Sequence, residues 1–339
     1  MEIKHLVMSS GSYKGIVYAG IIKKLLKYNL LDLSKIESIY GSSVGALCGF
    51  LIGLKLDWNI ICDHIINIPG MSVFKFKTEM FTELLTSKGL YGKEVFYKYV
   101  HGYLKEAGLK KNITIKEFYD YNNIDLHIFA LQLNEFKSVD FNHKTHPNLS
   151  LIDAIYMSCS IPIIFKPEYY NGSYYIDGCV LSDFPIKECL DDIDPSEYKN
   201  ILGIASKGWS PSKIKKEDTI FKVFEQMIFG FLYQTTKKCW DELDIHSDIY
   251  IIPLTLPHIN GDSISRMFSS PENRTEFMEY GYKLVDDFIE TNNLNKNIKL
   301  VSDENLVSDE NLVSDENLVS DENLVSDEKS NEELNEEQK

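Results

Sequence analysis

Short apolar runs alternate along the chain with longer segments in which apolar residues recur every three or four positions. Runs of the first kind are typical of buried strands, and the spacing of the second kind is typical of helices that pack by one face. The short runs predict strands at residues 3–8, 36–40, 125–133, 201–205 and 248–254. The longer segments predict helices at residues 16–30, 44–54, 78–88, 92–107, 150–158, 220–240 and 272–290. This alternation predicts an α/β fold in which helices cover a mainly parallel central sheet.

The pattern stops at residue 300, where a repetitive segment begins. From Val301 to Leu324 the hexapeptide VSDENL occurs four times, and a partial VSDE follows. A period of six fits no helix and the paired acids repel one another, so residues 301–339 are predicted to be a disordered acidic tail. Docking of this tail on a basic partner is the alternative. No linker rich in Gly, Ser or Pro divides residues 1–300, which predicts one domain followed by the tail.

Charge is distributed unevenly between these two parts. The net charge of the chain is −16, and the tail carries −12 of it with 14 acidic residues and two lysines. Residues 1–300 hold 37 acidic and 33 basic residues, and only two of the basic residues are arginines. A nearly neutral domain has no basic face for phosphates, so nucleic-acid binding is not expected.

The sequence predicts neither a transmembrane helix nor secretion. The longest run of apolar and small residues, 46–54, is far shorter than the about 20 residues that cross a bilayer. The amino terminus leads directly into a strand pattern and lacks signal-peptide architecture. Six scattered cysteines without a CxxC pair predict free thiols in a reducing, cytoplasmic compartment, with any membrane contact limited to the surface.

A pentapeptide of the form G-x-S-x-G joins a predicted strand to a predicted helix. It runs from Gly41 to Gly45 and has Ser43 at its centre. Such a nucleophile elbow holds its serine on a sharp, strained turn, so the flanking positions must lack bulk. We therefore predict that Ser43 is a nucleophile and that Ser42 is not. The alternative is a tight strand–helix turn whose serine has no chemical role.

Two further segments contain residues suited to acyl-transfer chemistry. The turn after the first strand, Ser9 to Gly15, is rich in small residues that leave backbone N–H groups uncovered before a helix. Amides of this kind stabilise an oxyanion, although most strand–helix turns favour the same residues. Farther along, Asp177 ends an aromatic-rich strand and precedes Gly178, so its carboxylate is free to point outward from the strand end; an ordinary Asp-Gly turn is the alternative.

The order of these motifs resembles that of the patatin-like phospholipase family. The resemblance covers residues 5–190 and includes the loop with Lys14 and Gly15, the G-x-S-x-G elbow, an S-x-S-x-P segment at 158–162, F-x-P at 165–167 and the Asp-Gly strand end. It implies a three-layer α/β/α sandwich, with residues 191–300 completing the same domain. It also implies a lipid acyl hydrolase that needs no cofactor or metal and that acts at a membrane or lipid-droplet surface.

Carried over by position, the resemblance makes Ser43 the nucleophile and Asp177 the general base of a Ser–Asp dyad. Residues Ser10, Gly11 and Ser12 match the oxyanion loop, and Lys14 matches its usual basic residue. The family normally has three glycines in this loop. Serine disfavours a positive φ by about 1 kcal/mol or more, so the oxyanion hole is expected to be reshaped, or supplied with added hydroxyl donors. Cys179 also departs from the family pattern, but it is small and neutral.

Other functions compete with this interpretation. An α/β-hydrolase would use a Ser-His-Asp triad with His246 or His258, but here the elbow follows only one strand–helix unit. A non-enzymatic lipid-binding protein would explain the missing glycines. His143 and His146 are interpreted as surface histidines rather than metal ligands. The helix predicted at 220–240 has an aromatic face that serves either as core or as a lid at a lipid interface.

Overall fold

The computed structural model describes residues 2–11, 14–68, 88–206, 214–218, 248–254 and 269–294, together with scattered positions between 222 and 237. The strands are β1 His5–Met8, β2 Ser38–Ser42, β3 Gly89–Tyr91, β4 Asp125–Gln132, β5 Lys137–Phe141, β6 Ile163–Phe165, β7 Glu168–Tyr170, β8 Ser173–Asp177, β9 Ile201–Ser206 and β10 Tyr250–Leu254. The α-helices are α1 Gly15–Lys27, α2 Val44–Gly53, α3 Trp58–Asn67, α4 Lys93–Glu106, α5 Ile115–Asn122, α6 Leu151–Cys159, α7 Ile186–Asp192 and α8 Pro271–Thr291.

Eight of the described strands form one sheet in the order β10-β9-β1-β2-β4-β8-β7, with β5 also paired to β4. The pairs that involve β10, β9, β1, β2 and β4 in this order are all parallel. Strands β5, β7 and β8 add an antiparallel portion. The sheet is therefore mixed but mostly parallel, as predicted.

Helices cover both faces of this sheet, which makes the domain a three-layer α/β/α sandwich. Successive residues of a strand point to opposite faces. Leu6 and Met8 belong to the larger apolar core, which contains buried residues of α1, α2, α6 and α8. Val7 and Tyr40 belong to a second core on the other face, where α7 packs. Strands buried on both faces read as continuous apolar runs, which is why the sequence pattern identified them.

The sequence prediction was wrong at several boundaries. The second strand was expected to end at Tyr40, but β2 extends through Gly41 to Ser42 because β4 continues to pair with it as far as Phe129. Helices α3, α5 and α7 and the short strands β3, β5, β6 and β7 were not predicted; these strands are only three to five residues long. Residues 78–87 of the helix expected at 78–88 and the acidic tail lie outside the described residues, as does most of the helix expected at 220–240.

Strand β4 positions the functional region by pairing with two strands in succession. Along its first part it runs parallel to β2, and Phe129 lies opposite Ser42 at the end of that strand. The next residue, Ala130, lies opposite Asp177, the last residue of the antiparallel strand β8. The carboxyl ends of β2 and β8 therefore lie opposite adjacent residues of β4.

Candidate active site

Ser43 occupies a strained turn between β2 and α2. Its backbone has φ 52° and ψ −122°, outside the regions that a residue with a side chain normally adopts. Such a conformation costs about 1–3 kcal/mol and persists only where the surrounding structure enforces it. A Cβ at Gly41 would lie 2.5 Å from the amide nitrogen of Ala46, and a Cβ at Gly45 would lie 2.2 Å from the carbonyl oxygen of Met8. Both outer glycines of the motif are thus required by close backbone contacts.

The side chains of Ser43 and Asp177 meet across 134 residues of sequence. The Ser43 hydroxyl donates a hydrogen bond to Asp177 Oδ2 at 2.6 Å. The other carboxylate oxygen accepts the N–H of Cys179 at 2.9 Å, and this bond caps the short helical turn after Gly178. A Cβ at Gly178 would lie 2.1 Å from the carbonyl oxygen of Phe129, so only glycine lets this turn approach β4.

Burial raises the pKa of the Asp177 carboxyl to about 6, against the hydrogen bonds from Ser43 and Cys179 that favour the charged form. The nearby negative charge of Asp183 raises the pKa further. Asp177 is fully buried. A carboxylate with a pKa close to the working pH is a stronger base than an exposed aspartate, whose pKa is near 4.

Ser158 holds the backbone of the elbow, a role that the sequence analysis did not assign. Its hydroxyl accepts the N–H of Ser43 at 2.9 Å and donates to the carbonyl oxygen of Phe129 at 2.6 Å. Two residues later, the carbonyl oxygen of Ser160 accepts the N–H of Asp177 at 3.0 Å. The S-x-S-x-P segment therefore connects Ser43 and Asp177 through the end of α6, and its position in the motif order was the available signal.

The loop after β1 lies against this elbow, but one of its amides is already bonded. The N–H of Ser10 donates to the carbonyl oxygen of Asp183 at 2.8 Å, and the Ser10 hydroxyl donates to the Asp183 carboxylate. The Ser10 amide is therefore not free to bind an oxyanion, contrary to the simplest form of the prediction. Gly11, the next residue, donates no backbone hydrogen bond to a described residue. Ser12 lies outside the described residues.

Lys14 is buried beneath the loop rather than in contact with Ser43 or Asp177. Its ammonium group donates to the Ser206 hydroxyl at the end of β9. Burial lowers the pKa of Lys14 to about 8, although the charge of Asp183 opposes this shift. A Cβ at Gly15 would lie 2.4 Å from a methyl group of Val44, so this glycine lets α1 begin directly beside the elbow.

The histidines considered from the sequence do not join this site within the described residues. His143 bonds Asp125 at 2.9 Å and His146 contacts the Thr145 hydroxyl, whereas His246 and His258 lie outside the described residues. One group with metal-ligand spacing occurs in the described part of the chain and consists of His5, Glu37 and Glu197. The ammonium group of Lys4 lies 3.1 Å from Glu37 and 3.4 Å from Glu197.

Comparison with known proteins identifies the family. The sequence profile described as patatin-like phospholipase matches residues 6–190, more than half of the chain. The chain belongs to the patatin-like phospholipase family. Both Ser43 and Asp177 lie within the matched residues of this patatin-like protein.

Relatives of this patatin-like protein carry lipid-hydrolase names. It is 24% identical over 225 residues to "Probable lipid hydrolase 463L" of Invertebrate iridescent virus 6, which covers 66% of this chain and 73% of the relative. It is 25% identical to "Lysophospholipase NTE1" of Meyerozyma guilliermondii, but the match covers 62% of this chain and only 14% of that much longer protein.

A solved structure supports the same fold. The crystal structure of VipD from Legionella pneumophila superimposes with a TM-score of 0.52 at 15% identity, and the match covers 86% of this chain and 67% of VipD. In the described part of this patatin-like protein, helices are too short or too polar to span a bilayer.

Proposed function

We propose that this patatin-like protein hydrolyses carboxylic esters of membrane lipids, with Ser43 as the nucleophile and Asp177 as the general base. The hydrogen bond of 2.6 Å between the Ser43 hydroxyl and the Asp177 carboxylate is the observation that carries the proposal. A serine hydroxyl needs a neighbouring base to take its proton, and within the described residues Asp177 is the group bonded to it. Family membership and the lipid-hydrolase names of the relatives support the substrate class.

The proposed reaction has two halves. In the first, Asp177 takes the proton of the Ser43 hydroxyl as the oxygen attacks the ester carbonyl; the proton then passes to the departing alcohol, which leaves an acyl group on Ser43. In the second, Asp177 takes a proton from water, and the resulting hydroxide attacks the acyl carbonyl. The proton then returns to the Ser43 oxygen, and the fatty acid is released.

Backbone amides are the proposed stabilisers of the oxyanion. Gly11 takes the place of Ser10 as the donor from the loop after β1, because the Ser10 amide is bonded to Asp183. The amino terminus of α2 also points at Ser43, which is the N-cap of that helix, and the partial positive charge there favours an anion. Preorganised donors of this kind typically contribute about 10²–10³ to the rate.

The test is a comparison of the variants Ser43→Ala and Ser42→Ala. Ser42 is the adjacent residue, and its buried hydroxyl has no hydrogen-bond partner among the described residues, so its loss should leave the reaction intact. Ser43→Ala should lower hydrolysis across a panel of phospholipids and acylglycerols by about 10³-fold or more. A fluorophosphonate should modify Ser43 in the wild type, as mapped by mass spectrometry.

Other outcomes would redirect the proposal. An adduct on Ser42, or an unchanged rate in Ser43→Ala, would place the nucleophile elsewhere. A wild-type protein that binds lipid vesicles but neither reacts with the fluorophosphonate nor hydrolyses any lipid of the panel would be a lipid-binding member of the family.

A further inference from the structure

Large apolar side chains are exposed at the ends of two neighbouring β-hairpins. Phe136 lies in the turn between β4 and β5 and is 55% exposed, and Leu133 in the same turn is 37% exposed. Tyr169, on the edge strand β7, is 60% exposed. Scattered apolar residues are normal on a protein surface, but clusters at one place mark interaction sites. We call Leu133, Phe136, Tyr169 and Tyr174 the hairpin rim.

Three members of the hairpin rim form one row across the sheet. The N–H of Leu133 donates to the carbonyl oxygen of Tyr174 at 2.8 Å, and Tyr174 is paired in register with Tyr169. The rings of these two tyrosines are 5.0 Å apart. Residues paired directly across a sheet project from the same face, so Leu133, Tyr174 and Tyr169 form a continuous surface. The neighbouring Tyr175 projects from the opposite face into the core.

The hairpin rim stands beyond the edge of the sheet that carries the dyad. Leu133 follows Phe129, the residue opposite Ser42, by four positions, and Tyr174 precedes Asp177 by three. At about 3.3 Å per residue these positions lie about 13 Å and about 10 Å past the level of the dyad. The exposed aromatic surface therefore lies at the same end of the sheet as Ser43 and Asp177, although its side chains project from the face opposite to that of Asp177.

The charged side chains at the hairpin rim are few and of both signs. Glu135 forms an ion pair with Lys137 in the same turn, and the ammonium group of Lys88 lies 5.0 Å from the centre of the Tyr174 ring. A surface of tyrosines with both signs of charge matches a zwitterionic headgroup layer, in which an amphipathic ring has one end in the apolar region and the other in water. Such a surface carries one net positive charge, far short of the clusters of roughly four to eight basic residues that recognise anionic lipids.

We propose that the hairpin rim is the surface by which the protein docks on the headgroup region of a zwitterionic phospholipid bilayer. The choice of a bilayer as the partner rests on the proposed function, because the substrate of a lipid hydrolase lies in such a layer. Docking there turns the edge that carries Ser43 toward the membrane. Tyr169 and Phe136 enter the interface first, since they are the most exposed members.

The experiment measures partition of the full chain into phosphatidylcholine vesicles. Every protein carries Ser43→Ala, so that hydrolysis does not alter the vesicles. The double substitution Phe136→Ser and Tyr169→Ser should weaken partition by about tenfold or more, since each removes a large apolar group from the interface. The control is Ile60→Ser on α3, where a large apolar side chain that is 38% exposed lies outside the rim. It should leave partition unchanged.

Further measurements distinguish docking from other effects. Circular dichroism and hydrolysis of a soluble monomeric ester, measured with Ser43 intact, should match between the double variant and wild type. Partition should change little between low and high salt, because the rim carries only one net positive charge and the vesicles carry none. Partition that is unaffected by the double substitution would overturn the proposal.

A loss of self-association instead, seen by analytical ultracentrifugation, would assign the rim to a second copy of the chain. If the wild type binds vesicles through the rim but hydrolyses no lipid, the docking surface stands and the proposed function fails.

Discussion

Strands β2 and β4 run side by side, and buried charges lie near both ends of this pair. At one end the charges are paired with opposite charges, whereas at the other end neutral groups bond a buried carboxylate. At the amino ends, His127 on β4 stacks on Tyr40 of β2 with 4.2 Å between ring centroids. Its ring nitrogens face Asp140 at 2.6 Å and Asp125 at 3.4 Å. At the carboxyl ends, the buried Asp177 is bonded by neutral donors of the described residues, among them the Ser43 hydroxyl and the Cys179 amide.

The difference is visible in the pKa values. Burial alone would lower the pKa of His127, but the hydrogen bonds and charges of Asp125 and Asp140 outweigh it and raise the pKa to about 9. Although burial raises the pKa of Asp125, bonds from His127 and Lys144 place it well below its usual range. Each charge at this end is stabilised by an opposite one. At the other end, burial dominates and the pKa of Asp177 rises to about 6.

The domain tolerates an energetically unfavourable backbone and a buried charge at one of these two ends. The end with the paired charges stabilises the fold, whereas the other combines a strained backbone at Ser43 with an uncompensated carboxylate at Asp177. Unfavourable local energies of this kind persist at functional sites, because the reaction needs the strain and the basicity. Mutations at the end with the paired charges should therefore lower stability more than activity. Mutations at the end that holds Ser43 and Asp177 should lower activity more than stability.

The largest expected effect comes from Asp177→Asn. Activity should fall by about 10³-fold or more because the amide is no base, while its oxygen still accepts the Cys179 amide. The pKa of Asp177 is raised from 3.8 to about 6, so its favourable contribution to folding is present below pH 3.8 and lost as the pH rises through 6. At pH 8 the variant should thus be more stable than wild type, by up to about 3 kcal/mol.

Thermal unfolding at pH 8 and pH 5 provides the measurement and its control. The gain in stability should shrink at pH 5, where the wild-type carboxyl is mostly protonated. Near-normal turnover in Asp177→Asn would show that another group is the base. A loss of stability at pH 8 would show that the Ser43 bond outweighs the cost of the buried charge.

The substitution His127→Leu probes the paired end. Removing the imidazolium leaves Asp125 and Asp140 without their shared partner, so the free energy of unfolding should fall by about 3 kcal/mol at pH 6. Because the pKa of His127 is raised from 6.5 to about 9, its contribution is complete below pH 6.5 and disappears as the pH rises through 9. Urea unfolding at pH 6 and pH 10 measures both values. If the kcat per folded molecule also fell in this variant, the paired end would contribute to catalysis as well as to stability.

A smaller effect is expected from Ser10→Ala, which removes the hydroxyl bond to Asp183 but keeps the backbone bond. The loop should become looser and the Gly11 amide less well placed, so kcat should fall by about 3- to 10-fold with KM unchanged. Asp183→Asn retains a carbonyl oxygen for the Ser10 hydroxyl and should lose less than Asp183→Ala. Equal losses in these two variants would indicate that the charge of Asp183, and not its bond to Ser10, matters.

The smallest effect on stability and turnover is expected from deletion of residues 301–339. The repeats offer little apolar surface to bury, so the melting temperature and the hydrolysis of a soluble ester should not change. Binding to anionic vesicles should become tighter at low salt, because the deletion removes 12 net negative charges, and the difference should vanish at high salt. A melting temperature lowered by several degrees would mean that the tail packs on the domain.

The parallel half of the sheet could be predicted from the sequence because its strands are buried on both faces. The same holds for the elbow, since a strand, three small residues and an apolar helix can meet only in a sharp turn. The antiparallel strands β5 and β7 escaped prediction. They are short, and most of their residues are partly exposed, so they lack the apolar run that marks a buried strand.

Motifs in the sequence are enough to propose candidate residues, whereas contacts between distant segments fix which of those residues meet. The elbow motif marked Ser43 and the family resemblance selected Asp177, but their contact depends on β4, which pairs with β2 up to Phe129 and with β8 from Ala130 onward. Likewise, no local pattern showed that Asp183 accepts the Ser10 amide. The reason is physical. Local motifs encode backbone conformation over a few residues, whereas strand register and loop packing are fixed by contacts between segments far apart in the chain.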